Sequence, residues 1–104
     1  ETVWMSEFLI SEPITVALPA VMDLKAAGPL AENLAGFRGM PLNLDASGVE
    51  KVGAQCVQIL MSVAATWKDD MAPIALVYPS PQFRTGLALL GLTPEAVMEK
   101  EITR

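Results

Sequence analysis

The sequence predicts a single domain of the α/β class, built as a small sheet with helices packed mainly on one face. Its 104 residues are enough for one hydrophobic core but too few for two. Short apolar runs of strand length alternate with longer segments of helical periodicity. The order is strand, strand, helix, strand, helix, strand, helix, tail, which indicates later strands that are parallel and joined by helical crossovers. We expect a core at about residues 7–92 and a C-terminal helical tail at 93–104.

The first elements are predicted from residues 7–40. Two apolar stretches flank a Ser-Glu-Pro turn in residues 7–20, which predicts two strands. A helix should follow Asp23, because its carboxylate can accept N–H groups at a helix start. Proline is costly deep inside a helix, so Gly28-Pro29 predicts a short turn at 24–27 and a main helix that begins at Pro29.

The centre of the chain predicts a strand, a turn and a long helix. Residues 41–44 read as a short central strand, and the Asp-Ala-Ser-Gly sequence at 45–48 as the turn at its carboxyl end. From Cys56 onward the apolar residues recur with the spacing of a helix that has one broad buried face. This helix should end at the acidic pair 69–70.

The last third predicts one more strand and two helices. Residues 74–78 form an apolar run of strand length, and the Pro-Ser-Pro sequence at 79–81 forces a turn. Apolar spacing over residues 83–90 fits a helix that stops at Gly91. Thr93-Pro94 has the N-cap and first-turn proline pattern of a final short helix.

The charge distribution argues against a nucleic-acid partner. Seven Lys and Arg against twelve Asp and Glu give a net charge of −5, and the basic residues are scattered along the chain. A phosphate backbone needs a clustered basic surface. Aromatic residues make up only 6% and are not interleaved with basic ones, so base stacking has no support either.

Hydropathy and cysteine content indicate a soluble cytoplasmic protein. Although 52% of the residues are hydrophobic, no apolar run approaches the roughly 20 residues that cross a bilayer, so we expect no direct membrane insertion. A single cysteine fits a reducing compartment. No basic leader followed by an apolar segment and a cleavage site is recognisable.

The residue inventory gives no basis for an enzyme, a metal site or a cofactor. The chain has no histidine, which removes Cys-His and Ser-His-Asp nucleophile chemistry. Cys56 lies on the predicted apolar helix face, where a buried, unreactive thiol is expected. No phosphate-binding glycine pattern is present, and the acidic pair 69–70 is better explained as solvated than as metal-binding.

Three segments form an ordered set of motifs: Leu-Pro-Ala-Val-Met-Asp-Leu at 18–24, Leu-Asp-Ala-Ser-Gly-Val-Glu-Lys-Val at 44–52, and Pro-Ser-Pro-Gln-Phe at 79–83. In this order they resemble the STAS domain family, which has the fold of the anti-sigma-factor antagonists. The resemblance implies a small mixed sheet of four to five strands. It leans to a bacterial subgroup of small stand-alone STAS proteins found with chemotaxis genes (CheS-like) or with phospholipid-trafficking ABC systems (MlaB-like).

The resemblance also implies a binding surface that has lost its phosphorylation site. Where family members carry Asp-Ser-Ser-Gly or Asp-Thr-Ala-Gly, this chain reads Gly-Ala-Gln-Cys at 53–56, and Ala54 stands at the phospho-acceptor position. Either the surface docks constitutively or the site has lost its importance. Ser47 is interpreted as a turn serine rather than as a replacement acceptor. The partner-binding residues implied are Asp23, Ser47, Gly48, Lys51, Gly53, Ala54, Gln55, Cys56 and Val57.

The function implied is a non-catalytic protein-protein interaction module in bacterial signalling. A chemotaxis histidine kinase is the partner that the subgroup resemblance favours. The alternatives are the ATPase of a phospholipid-trafficking ABC transporter and an anti-sigma factor, and the missing hydroxyl at Ala54 counts against both. The sequence leaves monomer and homodimer open.

Overall fold

A three-stranded parallel sheet forms the centre of the computed structural model, which describes residues 13–99. Its strands β1 (Ile14–Ala17), β3 (Leu42–Asp45) and β5 (Ile74–Val77) lie in the order β1-β3-β5. A second parallel pair joins β2 (Val21–Met22) to β4 (Lys51–Val52). The α/β class is therefore confirmed. The first of the two strands predicted in residues 7–20 lies outside the described residues.

The described residues contain four helices: α1 (Leu24–Ala35), α2 (Ala54–Asp69), α3 (Pro81–Leu89) and α4 (Pro94–Glu99). Helices α1 and α2 lie in the connections between the strands of the parallel sheet, where such crossovers are needed. Helix α1 packs beside α2, α2 contacts α4, and α3 packs against β4. The predicted positions of α2 and α3 and the predicted start of α4 are confirmed to within about two residues, and the rest of the predicted helical tail, at 100–104, lies outside the described residues.

The core contains buried side chains from β3 and from all four helices. Leu42 and Leu44 of β3 are fully buried, whereas Asn43 and Asp45, on the other face of the strand, are half-buried. Large, fully buried side chains of α1, α2 and α3 belong to the same core: Leu34, Leu60, Trp67, Phe83 and Leu87. Each such side chain contributes about 1.5–3 kcal/mol on burial, so this layer holds the helices in place on the sheet.

Helix α1 is continuous through Gly28 and Pro29, so the predicted start of the main helix at Pro29 is wrong. Proline removes one helical hydrogen bond, and its ring usually clashes with the residue before it. Gly28 has no Cβ to take part in that clash. Leu30 and Leu34, which follow on the buried face, anchor the helix to the core, and such packing outweighs local propensity.

Candidate docking surface

The carboxyl edge of the sheet brings together most of the residues predicted to bind a partner. A helix that follows a parallel strand runs back along the sheet, so α1, α2 and α3 all begin near this edge. Asp23 precedes α1, the loop at residues 46–50 follows β3, and Ala54 opens α2. We call the exposed members of the predicted set the docking surface: Asp23, Ser47, Gly48, Lys51, Ala54 and Gln55.

Gly53 connects β4 to α2 at a point where two backbone segments are in close contact. Its N–H donates to the carbonyl oxygen of Met22 at 2.8 Å. A Cβ at position 53 would lie 2.8 Å from that same oxygen and 3.7 Å from the Cα of Asp23. Only glycine fits this approach without a shift of the backbone. Gly53, which directly precedes the start of α2, is therefore held beside Asp23.

Asp23 links α1 to α2 through two different groups. Its carboxylate accepts the backbone N–H of Ala26 at 3.0 Å, which confirms the predicted N-cap. Its carbonyl oxygen accepts the Cys56 thiol at 3.3 Å. The residue is exposed while both of these contacts are made, so it can support the fold and face a partner at the same time.

Cys56 and Val57 lie beneath the docking surface, not on it. Their side chains are 0% and 2% exposed. Burial raises the pKa of the Cys56 thiol, and the nearby Asp23 carboxylate adds to this effect. The expected burial of this thiol is thus confirmed. The prediction that these two side chains contact a partner directly is therefore corrected. They pack beneath the surface and support it, because the apolar face of α2 that carries them points into the core.

The buried thiol gives a first testable prediction. Cys56 should resist iodoacetamide at pH 8 in the native protein and react fully in denaturant, as mass spectrometry of the labelled chain would show.

The raised pKa of Cys56 also predicts a pH dependence of stability. Because the pKa of the thiol in the folded protein is raised above the ordinary 9.0, the contribution of the protonated thiol to folding stability is complete below pH 9.0 and is lost as the pH rises through the folded pKa. A Cys56→Ala variant should lose less stability above pH 9 than the wild type. Rapid labelling of the native protein would contradict this placement.

The loop at residues 46–50 is shaped by Asp45 more than by the serine that follows it. The Asp45 carboxylate accepts the backbone N–H of Ser47 at 2.9 Å, which forms an Asx-type turn. This bond is the main cause that lowers the pKa of Asp45, and the Ser47 hydroxyl adds to it. Further along, the N–H groups of Glu50 and Lys51 both donate to the carbonyl oxygen of Ala20, at 2.7 and 3.1 Å. The loop is thus bonded at both of its ends.

Ser80 supports the same loop from below, and the sequence analysis missed this role. Its buried hydroxyl donates to the carbonyl oxygen of Val49 at 2.7 Å and accepts the N–H of Phe83 at 3.0 Å, so it also caps α3. Its backbone N–H donates to the carbonyl oxygen of Ala46 at 3.1 Å. The signal available was a serine before a first-turn proline, the pattern that predicted α4 at Thr93.

Two exposed apolar side chains border the docking surface and were also missed. Leu24, the first residue of α1, is 71% exposed, and Val21 of β2 is partly exposed opposite Lys51. Interfaces combine an apolar centre with a polar rim. Leu24 and Val21 add apolar area to a surface that the sequence analysis described as mainly polar.

Neither a metal centre nor a membrane span is found within residues 13–99. No group of three or more side chains in that part of the chain could hold a metal ion. None of its helices has the length and apolar character needed to cross a bilayer.

Comparison with known proteins agrees with the geometry of the fold. A family model described as "Mlab, STAS domain" matches residues 10–99, which is most of the chain. Searches of curated proteins and of solved structures found no match. The match spans the parallel sheet, the α2 start beside Asp23 and the loop that Ser80 supports. On this basis the chain belongs to the STAS domain family.

Proposed function

We propose that this chain is a non-catalytic STAS module that docks constitutively onto a protein partner through the docking surface. STAS domains are in general regulatory protein-interaction modules. The observation that carries the proposal is Ala54: it is exposed, opens α2 beside Gly53 and Asp23, and has a methyl group at the acceptor position. A methyl group cannot take up phosphate, so phosphorylation at this position cannot switch the surface off.

The local charge supports a permanently unphosphorylated state. The first turn of α2 contains no acidic residue, and Gln55 adds no charge. A phosphate would add nearly two negative charges to this helix start. A partner that docks on this face therefore meets the same neutral helix start at all times, and regulation would have to come from the partner or from the amount of this protein.

For the partner we favour a histidine kinase of a bacterial chemotaxis pathway, with the complex in the cytoplasm. The support is the subgroup resemblance of the motifs at 18–24 and 79–83 together with the missing acceptor. A second candidate is the ATPase of a phospholipid-trafficking ABC transporter, because the family model that matches carries the Mlab description. An anti-sigma factor ranks third, since the phosphorylation cycle of its antagonists needs the hydroxyl that Ala54 lacks.

Ala54→Glu tests the proposal. Tagged wild-type and variant proteins would be used for affinity capture from the native cytoplasm, with mass spectrometry of the bound proteins. We expect wild type to retain a histidine kinase and Ala54→Glu to bind it at least about tenfold more weakly, because a negative charge enters the interface. Thermal unfolding should show no loss of stability, since an acidic residue in the first turn interacts favourably with the helix dipole.

Two controls separate charge from other effects. Ala54→Gln has a side chain of similar size without the charge and should retain the partner. Ala88→Glu places the same charge on an exposed residue near the C-terminal end of α3, whereas α3 begins near the docking surface. This variant should bind like wild type. Capture of an ABC ATPase in place of a kinase would favour the transport candidate. If Ala54→Glu captures the same partners as strongly as wild type, the docking surface is not the surface that binds them.

A further inference from the structure

Tyr78 combines a strained backbone with an exposed aromatic ring. Its φ is +54°, in the left-handed region that disfavours residues with a Cβ, and the residue is 72% exposed. Glycine would adopt this conformation without the steric cost. The strain must therefore be held in place by the surrounding structure.

The loop at residues 46–50, which we call the docking loop, provides hydrogen bonds that hold the backbone of Tyr78 in this conformation. The N–H of Ala46 donates to the carbonyl oxygen of Val77 at 3.0 Å, and the N–H of Ser80 donates to the carbonyl oxygen of Ala46 at 3.1 Å. The two sides of the Tyr78 turn are thus bonded to a single residue of the loop. Ser47 and Gly48, both exposed, come directly after that residue. Tyr78 consequently lies at the same edge of the sheet as the docking surface.

Met71 shows why the strain at Tyr78 calls for a separate explanation. It is the other non-glycine residue with positive φ in the described part of the chain, at +58°, and it is 91% exposed. Met71 follows the end of α2 and its N–H donates to the carbonyl oxygen of Lys68, so its conformation terminates a helix in a common way. Tyr78 follows a strand, where no helix end requires a left-handed residue.

The ring of Tyr78 contributes little to the fold itself. It remains largely exposed, and its hydroxyl makes no hydrogen bond with the residues that the structure describes. A rigid aromatic side chain with a polar tip is, however, a frequent anchor in protein interfaces, because it buries a large area at a small entropic cost. An exposed ring on a strained backbone suits binding better than folding.

We propose that Tyr78 is a partner-anchoring residue of the docking surface, with its ring seated in an apolar pocket of the same protein partner that contacts Ala54. This inference rests on the proposed function. It extends the surface from the start of α2 across the loop at 46–50 to the turn after β5. The polar residues of the loop would then form part of the rim around the ring.

A pair of glycine variants tests this role, with Met71→Gly as the control for Tyr78→Gly. Both changes remove an exposed side chain from a residue with positive φ, and both should leave the melting temperature unchanged or raised. Binding would be measured by calorimetry against two purified probes from the source organism, the chemotaxis histidine kinase and the ATPase of its lipid-trafficking ABC transporter. Tyr78→Gly should bind the partner about tenfold more weakly, whereas Met71→Gly should bind like wild type.

The outcomes separate this inference from the proposed function. A lower melting temperature for Tyr78→Gly alone would show that the ring serves the fold, which overturns the inference. Wild-type affinity in Tyr78→Gly would also overturn it, and would leave the proposed function standing if Ala54→Glu loses binding. If wild type binds neither probe, the proposed partners are wrong and the anchoring role fails with them.

Discussion

Replacement of Ser80 by alanine should lower the free energy of unfolding by about 2–4 kcal/mol, because one hydroxyl makes two bonds of different kinds. It caps α3 by accepting the N–H of Phe83, and it donates to the buried carbonyl oxygen of Val49. Alanine removes the cap and leaves that carbonyl unsatisfied. Chemical denaturation with linear extrapolation would measure the loss.

Thr93→Ala is the matched control for Ser80. The Thr93 hydroxyl accepts the N–H of Ala96 at 3.1 Å at the start of α4, but it makes no second bond among the described residues. Loss of this cap alone should cost about 1 kcal/mol. The difference between the two variants isolates the bond to Val49. Equal losses would mean that this bond adds nothing to stability.

The same pair of variants connects stability to the docking loop. The amide groups of Glu50 and Lys51 donate to the carbonyl oxygen of Ala20, next to the residue that Ser80 holds. In Ser80→Ala these amides should exchange their hydrogens faster than in Thr93→Ala, because the loop loses one of its attachments. Equal exchange rates in the two variants would show that Ser80 does not control the loop.

Regular elements were predicted correctly where the periodicity was strong. Residues 41–44 were correctly predicted as the strand before the turn, and the long apolar face from Cys56 identified α2. Pro29 was misjudged because its local cost is fixed by sequence, whereas the compensating burial of Leu30 and Leu34 depends on the packed fold. Propensity alone cannot weigh these two effects.

Part of the candidate site was also accessible from sequence. The family resemblance placed Asp23, Gly53 and Ala54 in one set of partner-binding residues, and in the structure Gly53 lies beside Asp23 and directly before Ala54. Ser80 was missed because its partner Val49 is 31 residues away, and nothing local predicts that pairing. The conformation of Tyr78 depends in the same way on bonds to Ala46.

Gly53→Ala should destabilise the protein by about 1–3 kcal/mol, the usual cost of adding a methyl group where there is no room. The new Cβ would lie 2.8 Å from the carbonyl oxygen of Met22, and that oxygen also accepts the Gly53 N–H. Relief of the clash must therefore move β2 away from β4 or break this bond. Denaturation would measure the loss, and partner affinity should fall with it because Ala54 shifts relative to Asp23.

Gly48→Ala provides the comparison within the same segment. No atom lies within 4 Å of a Cβ at position 48, and the residue is exposed on the docking loop. Alanine there should leave stability unchanged or raise it slightly, because it restricts the unfolded chain more than glycine does. If Gly53→Ala proved as stable as Gly48→Ala, the contact between β2 and the start of α2 would be adjustable. The docking surface would then not depend on the fixed approach of Ala54 to Asp23.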